Sequence, residues 1–217
     1  MKKILLYSSL LAAALTASAQ VILIDEDFDS LTAPALPTSL TTTSNVATVD
    51  DSFYAQSGSV TLWIVDTTDS NFFTTEALGL VNGTTTESTI AFAWTTDVNQ
   101  SSKFGRIPQL EWSNDGTTFF NVDQIGTIPT TTGATLPAYT AYTFTVNAAD
   151  EFGGNIVSFS ADSAWRVVGD NDSGGGGGPL IIDNFSVTAD AVPEPSSFAL
   201  LSGCLALTSI MLRRRRD

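Results

Sequence analysis

Two carboxylates near opposite ends of the chain occupy positions that could bind a metal ion. Glu26 lies in the segment VILIDEDFDSL and Asp183 in the segment PLIIDNFSVTA. Side chains alternate along a strand, so if Phe28 and Phe185 point into a core, Glu26, Asp183 and Ile22 point there too. A buried carboxylate must be paired or bind a metal, and neither segment holds a Lys, Arg or His. Two carboxylates with backbone carbonyls suit Ca²⁺, so we predict a structural calcium site, unless both acids are solvated at strand ends.

The sequence offers few candidate residues for catalysis. The chain has no histidine, which excludes Ser-His-Asp catalysis and histidine-bound metals. Its only cysteine, Cys204, lies near the C-terminus, so the rest of the chain has neither a cysteine nucleophile nor a disulfide. Paired carboxylates for glycoside hydrolysis remain open, because acids abound. The Glu-x-Asp-x-x-Glu pattern of jelly-roll glycanases is absent, and we predict a protein that is not an enzyme.

Aromatic residues are the candidates for sugar binding. Phe72-Phe73 and Phe119-Phe120 are adjacent pairs, so one ring of each pair should point outward. An exposed ring can stack on a sugar. The four tryptophans are instead expected in the core: Trp63, Trp94, Trp112 and Trp165.

The charge of the chain limits its partners. The whole chain carries −14. Without the two N-terminal lysines, the four C-terminal arginines and Asp217, three basic residues stand against 22 acidic ones, a net charge of −19. Such a charge repels nucleic acid and anionic membrane surfaces, and neither is an expected partner. It suits divalent cations or a matrix in which cations bridge acidic polymers, or it serves only solubility.

Short runs of alternating apolar and polar residues, separated by turn residues, fill the middle of the chain. Asn114, Asp115 and Gly116 predict a hairpin, because Asp-Gly supplies the positive φ that such a turn needs. Residues 20–190 are therefore predicted to form one all-β domain, an antiparallel β-sandwich and, within that class, a jelly roll. The predicted strands are Ser59–Val65, Ser88–Thr95, Ile107–Trp112, Thr118–Val122, Ala141–Val146, Ile156–Ser160, Ala164–Val168 and Leu180–Thr188.

The two end segments of this domain resemble the bracketing strands of carbohydrate-binding-module and laminin-G-type jelly rolls. The resemblance covers the 11 residues of VILIDEDFDSL and the 11 of PLIIDNFSVTA. It implies that the first and last strands lie side by side and that a calcium ion sits near the sheet edge. We therefore expect Ile22–Phe28 to lie beside Leu180–Thr188.

The N-terminus has the features of a secretory signal peptide. Two lysines precede a mostly apolar stretch at 4–15, and Ala17-Ser18-Ala19 is a small-residue cleavage signal before Gln20. The apolar stretch is too short to span a bilayer comfortably, which favours cleavage over anchoring. We predict that residues 1–19 are removed on export.

The C-terminal segment 191–217 has an apolar run at 198–212 that could form a short membrane helix. At about 1.5 Å per residue its 15 residues span roughly 22 Å, less than the ~30 Å hydrocarbon core of a bilayer. Its arginines are predicted to stop transfer and stay on the cytoplasmic side. Three residues precede the run and four arginines follow it as the membrane stop: Pro193, Glu194 and Pro195 before it, and Arg213, Arg214, Arg215 and Arg216 after it.

This order of features resembles the PEP-CTERM sorting signal, which covers residues 192–217 here. The resemblance implies an exosortase as partner, an integral-membrane enzyme that processes its substrates near the motif. It also implies export across the inner membrane of a Gram-negative bacterium, to the cell surface or the extracellular polysaccharide. The alternative is a plain C-terminal anchor with a chance Pro-Glu-Pro.

Together these features predict an exported, surface-sorted β-sandwich with a glycan-binding or structural role in the envelope or polysaccharide matrix. The alternatives are a secreted glycan-cleaving enzyme that uses paired carboxylates, and an adhesin that binds another protein through a sheet edge. An acid pair in a cleft lined by aromatic residues would favour the enzyme, and a surface without such a cleft would favour binding.

Overall fold

Two antiparallel β-sheets form the body of the protein in a computed structural model. It describes residues 19–42, 46–50, 56, 58, 60–64, 71–81, 83–96, 107–124, 138–170 and 179–191, which contain thirteen strands and no helix. The six-stranded sheet contains β1 (Ala19–Glu26), β3 (Val46–Asp50), β4 (Val60–Ile64), β6 (Glu87–Thr96), β9 (Thr140–Asn147) and β13 (Leu180–Ala191). The five-stranded sheet contains β2 (Leu40–Thr42), β5 (Phe72–Thr75), β7 (Ile107–Ser113), β8 (Phe119–Gln124) and β12 (Ala164–Asp170). A small hairpin joins β10 (Glu151–Phe152) to β11 (Asn155–Ile156).

The last two strands of the body lie at the centres of the two sheets: β13 in the six-stranded sheet and β12 in the five-stranded sheet. The six-stranded sheet runs β3-β4-β13-β6-β9, with β1 also paired to β13, and the five-stranded sheet runs β2-β5-β12-β7-β8. The predicted all-β sandwich is therefore confirmed.

Side chains from both sheets meet in one core. Phe73 of β5 packs edge-on against Phe185 of β13, with ring centroids 5.3 Å apart. The Trp165 indole of β12 donates a hydrogen bond to Ser88 Oγ of β6 at 3.0 Å, which ties the two sheets together. The rings of Trp112 and Trp165 also meet edge-on at 5.0 Å. Aromatic rings dominate this core because each buries a large apolar area.

One of the four tryptophans departs from its predicted place. Trp94, Trp112 and Trp165 are buried as predicted. Trp63 is half-buried and pairs with Ile181, on the face of the six-stranded sheet that is turned away from the core. The prediction for Trp63 is wrong because both faces of β4 carry large residues, so alternation alone does not mark the inner one.

The first and last strands of the body pair along their length, as predicted. Ala19 lies opposite Ala191, and Glu26 lies opposite Phe185. The sequence VILIDE of β1 and LIIDNFSV of β13 are rich in β-branched residues, which favour this extended pairing. Both ends of the described chain therefore leave the sandwich at the same end.

A bulge in β1 overturns the predicted direction of Ile22. The register of β1 against β13 shifts between Ile22 and Ile24. Ile24 is buried in the core, whereas Ile22 is 65% exposed. A bulge adds one residue to a strand and so reverses the alternation beyond it.

A second bulge, in β13, separates Asp183 from the core. Asn184 has a φ of 52°, and the register against β6 shifts between Asp183 and Ser186. Phe185 points into the core, but Asp183 lies opposite Ala93 on the outer face of the sheet. The prediction that Asp183 shares the inward direction of Phe185 is therefore wrong.

Most predicted strands are present, with small shifts at their ends. The β7–β8 hairpin turns through Gly116, whose φ is 73°, as the Asp-Gly signal predicted. Ile156–Ser160 is not a strand: only Ile156 belongs to β11, and residues 157–160 follow it without regular structure. Four strands were not predicted, β2, β3, β5 and β10, because strands of two to five residues are too short to show a clear apolar alternation.

The predicted signal peptide 1–19 lies outside the described residues except for Ala19, and the sorting motif and membrane helix predicted from 192 onward also lie outside them. No part of the chain that the structure describes forms a helix long and apolar enough to cross a membrane. The signal peptide and the membrane helix at 198–212 stay predictions.

Candidate functional site

A row of five polar side chains crosses the outer face of the five-stranded sheet. Each member follows a core-facing residue on its own strand and lies directly opposite the next member across the sheet. At about 4.8 Å between strands, the row extends roughly 19 Å. Its members, which we call the polar row, are Thr41, Thr74, Arg166, Glu111 and Asn121.

Two aromatic rings flank the polar row. Phe72 lies on one side of it, opposite Val168, and Phe119 on the other, opposite Ser113. Both rings are half-buried, whereas Phe73 is fully buried and Phe120 packs against the core. The prediction that one ring of each Phe pair points outward is therefore confirmed.

The Arg166 guanidinium lies over both outward rings. Its Cζ atom is 4.6 Å from the centroid of Phe72 and 4.1 Å from that of Phe119, so the two centroids lie no more than 8.7 Å apart. A guanidinium is held over an aromatic ring by its attraction to the ring's negative face. We call Phe72, Phe119 and Arg166 the aromatic clamp.

Glu111 neutralises Arg166 within the clamp. Both Nε and Nη2 of Arg166 contact the same oxygen, Oε2 of Glu111, and the side chains are only 22% and 14% exposed. Within the described residues, Arg166 Nη1 and Glu111 Oε1 make no hydrogen bond. The side-chain amides of Asn121 and Gln109, the latter beside the row, make none there either. The neutral Arg166–Glu111 pair thus leaves one donor and one acceptor without a partner among the described residues.

Several solved structures share this β-sandwich fold. The CBM22-1 xylan-binding domain from Paenibacillus barcinonensis Xyn10C matches with a TM-score of 0.52 at 12% identity, over 82% of this chain and 100% of that one. The tandem CBM22-1–CBM22-2 domain of Xyn10C matches with 0.53 at 14% identity, over 82% and 49% of the two chains. The Stig cyclase Fisc from Fischerella sp. TAU, in complex with an indole compound, matches with 0.52 at 14% identity, over 81% and 100%.

These likenesses establish the fold of the chain. At 12–14% identity they carry no more than that, and the same fold serves both xylan-binding domains and a cyclase. No protein-family model and no curated protein matches the sequence. The function must therefore be argued from the side chains of this chain.

The two carboxylates predicted to bind calcium leave the sheet on opposite faces. Glu26 shares the core side with Phe185, at the edge of the sandwich, and accepts a hydrogen bond from Ser39 Oγ at 2.6 Å. Asp183 is fully buried on the outer side. Glu26 and Asp183 therefore do not share one face of the sheet, although strand alternation had predicted that they would. Calcium binding by Glu26 and Asp183 stays a prediction, and the described residues contain no group of three or more His, Cys, Asp or Glu that could hold a metal.

Asp183 has partners within the protein that the sequence did not indicate. Its Oδ2 accepts the backbone N–H of Gln56 at 2.9 Å, and its Oδ1 accepts that of Asn184 at 2.8 Å. Burial, followed by the charge of Asp183, raises the pKa of the nearby Tyr139 well above its usual range. Asp183 therefore holds the backbone of Gln56 against the outer face of the six-stranded sheet.

Three acids line a cleft next to the polar row. The cleft has a volume of about 270 Å³ and lies between Thr74, Glu76, Asp115 and Asp162. Hydrogen bonds from the backbone N–H groups of Thr118 and Thr117 hold the pKa of Asp115 well below its usual range. A general acid in glycoside hydrolysis needs a raised pKa, which Asp115 lacks. No aromatic residue belongs to the described lining, so this is not the aromatic-lined cleft with an acid pair that would favour an enzyme.

Asp190 at the end of β13 gives a pH-dependent contribution to stability. It is only 6% exposed and accepts the backbone N–H groups of Thr86 and Glu87 at 2.8 Å each. Burial alone would raise its pKa, but the hydrogen bonds from the Thr86 hydroxyl and these N–H groups outweigh burial and hold the pKa of Asp190 below its usual value. A lowered pKa stabilises the fold at neutral pH, and this contribution is lost as the pH falls through the folded-state value.

We therefore expect the wild type to lose stability more steeply below about pH 4 than Asp190→Asn, which cannot titrate. The measurement is urea unfolding at a series of pH values from neutral to acid. The control is Asp25→Asn, which removes an exposed acid of β1. Equal slopes in the wild type and Asp190→Asn would contradict the prediction.

Proposed function

We propose that this protein is an exported glycan-binding module that is sorted to the cell surface or the extracellular polysaccharide of a Gram-negative bacterium. The observation that carries the binding role is the aromatic clamp together with the polar row. Sugars are bound by aromatic surfaces that contact their C–H groups and by polar side chains that hydrogen-bond their hydroxyls. Both kinds of group lie here on one outward sheet face, with hydrogen-bonding atoms still available.

The fold supports this role without deciding it. Xylan-binding domains share the sandwich, and so does a cyclase. A binding module is favoured over a glycan-cleaving enzyme because the pKa of Asp115 in the neighbouring cleft is lowered and the described lining of that cleft has no aromatic residue. We expect no release of reducing sugar from any glycan that the protein binds.

Removing both outward rings is expected to abolish glycan binding. The double variant Phe72→Ala/Phe119→Ala takes the stacking surface away but leaves Phe73 and Phe120 in place, so the sandwich should remain folded. The measurement is retention of the full chain on a panel of immobilised polysaccharides, with circular dichroism as the check on folding. Thr143→Ala, exposed on the other sheet, is the matched control and should bind like the wild type.

A bound glycan that is retained equally by the double variant and the wild type would place the binding site elsewhere. A folded wild type that binds no polysaccharide of the panel would contradict the proposed function.

The export and sorting half of the proposal rests on the two terminal segments. Exosortase processing at Pro193-Glu194-Pro195 and membrane attachment through 198–212 follow from the resemblance of the tail. The position of Ala191 supports this assignment, because the tail begins directly at the end of the sandwich and only Val192 separates the paired strand from the motif.

Replacing Pro193-Glu194-Pro195 with three alanines, while keeping the apolar run, is expected to leave an unprocessed precursor held in the membrane. Deleting 192–217 is expected to release the body in soluble form. Immunoblots of membrane, surface and medium fractions measure both outcomes. Normal processing and delivery of the alanine variant would show that the tail is a plain anchor.

A further inference from the structure

We infer that the polar row and the aromatic clamp select an uncharged polysaccharide and reject acidic ones. This inference rests on the proposed glycan-binding function and adds the chemical class of the ligand. It follows from three features of the site: the cancelled charge of Arg166, the hydrogen-bonding atoms left beside it, and the charge of the whole body.

The positive charge of Arg166 is neutralised within the protein by Glu111. Its Nε and Nη2 both contact Oε2 of Glu111 in a half-buried pair. A ligand carboxylate that approached Arg166 would also meet the negative charge of Glu111, and like charges brought together in a partly desolvated site are costly. A cationic ligand that approached Glu111 would in turn meet the positive charge of Arg166. Arg166 therefore does not act as a site for an anion.

The atoms left over suit a hydroxyl group. Arg166 Nη1 is a donor and Glu111 Oε1 is an acceptor, and neither has a partner among the described residues. A sugar hydroxyl both donates and accepts, so neighbouring hydroxyls of one ring can satisfy both atoms at once. Hydrogen bonds to ionised partners are stronger than neutral ones, which favours this contact.

The rest of the surface is neutral or repels anions. Thr41, Thr74 and Asn121 complete the row, and Gln109 lies beside it. Arg166 is the one cation in the part of the chain that the structure describes. Residues 20–190 hold 21 acidic and three basic residues, a net charge of −18, so a polyanion is also repelled at a distance.

The row also sets how the chain of sugars lies. It crosses all five strands, and the two rings stand on opposite sides of it within 8.7 Å of each other. A polysaccharide that uses Thr41, Arg166 and Asn121 together must run across the strands over roughly 19 Å. A single sugar would contact only part of this row, so longer oligosaccharides should bind more tightly than monosaccharides.

The experiment compares each of several neutral polysaccharides with its own carboxylated form. Laminarin, starch and galactomannan are used as they are and after oxidation of their primary hydroxyls to carboxylates, which changes charge while keeping the polymer. Binding to the folded full chain is measured at one ionic strength. We expect any polysaccharide that binds to prefer the neutral form at least about tenfold, the effect of one unfavourable charge contact near a protein surface.

Two pairs of variants separate the site from the overall charge. Glu111→Gln and the control Asp25→Asn each remove one negative charge, but only Glu111→Gln should narrow the preference for the neutral form. Asn121→Lys and the control Thr143→Lys each add one positive charge at an exposed strand position, and only Asn121→Lys should improve binding of the carboxylated form. The lysine pair decides the question if Glu111→Gln does not fold.

A wild type that prefers the carboxylated polysaccharide would overturn the inference and leave the proposed function standing. Equal shifts in a variant and its control would also overturn it, since the body charge would then explain the selectivity. A folded protein that binds neither form of any polysaccharide would remove the proposed function, and the inference with it.

Discussion

Replacing Trp165 with alanine is expected to lower the free energy of unfolding by about 3–5 kcal/mol, the usual cost of deleting a buried tryptophan. Trp165 is fully buried and contacts the Trp112 ring edge-on at 5.0 Å. Its indole also donates to Ser88 Oγ on the opposite sheet at 3.0 Å. The substitution therefore leaves a cavity in the core and removes a link between the sheets.

Urea unfolding followed by tryptophan fluorescence and circular dichroism measures this loss. Trp165→Phe keeps most of the packing but not the hydrogen bond, so it should cost clearly less than the alanine variant. The control is Trp63→Ala, since Trp63 is half-buried outside the core cluster. A Trp63→Ala loss as large as that of Trp165→Ala would mean that the outer face contributes as much as the core.

Replacing Asp183 with alanine is expected to cost about 2–4 kcal/mol, because it leaves two backbone donors without their acceptor. The side chain is fully buried and accepts the N–H groups of Gln56 and Asn184. Asp183→Asn keeps one acceptor oxygen and should lose less. Asp25→Ala, an exposed acid in the paired strand β1, should change the free energy of unfolding by no more than about 0.5 kcal/mol.

The same unfolding experiments, repeated with a calcium chelator, test the predicted calcium site. Calcium at 100 times its dissociation constant would stabilise the folded body by about 2.7 kcal/mol. Chelator should then lower the melting temperature of the wild type more than that of Asp183→Asn. Equal chelator effects in both proteins would retire the calcium prediction, and an Asp183→Ala variant as stable as Asp25→Ala would contradict the hydrogen-bonding role.

The sequence by itself determined the class of the fold, and its resemblance to carbohydrate-binding-module and laminin-G-type jelly rolls implied the pairing of its ends. Alternation of apolar and polar residues is a local property, so strands such as Ile107–Trp112 and Ala164–Val168 could be located from it. The Asp115-Gly116 turn was predictable for the same reason, because a positive φ is a local demand that glycine meets. The outward direction of one ring in each Phe pair also follows from alternation within a strand.

Only the tertiary structure decided which side chains meet. Arg166 and Glu111 are 55 positions apart in sequence and become neighbours through the register of β12 against β7, which no local pattern encodes. Arg166 and Glu111 are each polar residues between apolar neighbours, which indicates that they point outward. The sequence does not indicate that each is the other's partner. The bulge before Ser186 moves a residue away from its predicted place. It reverses the alternation from which Asp183 was predicted to lie beside Glu26. A bulge depends on how two strands fit together. Contacts between strands that are distant in the chain therefore place Glu26 and Asp183 on opposite faces of the sheet and bring together the residues of the proposed glycan site.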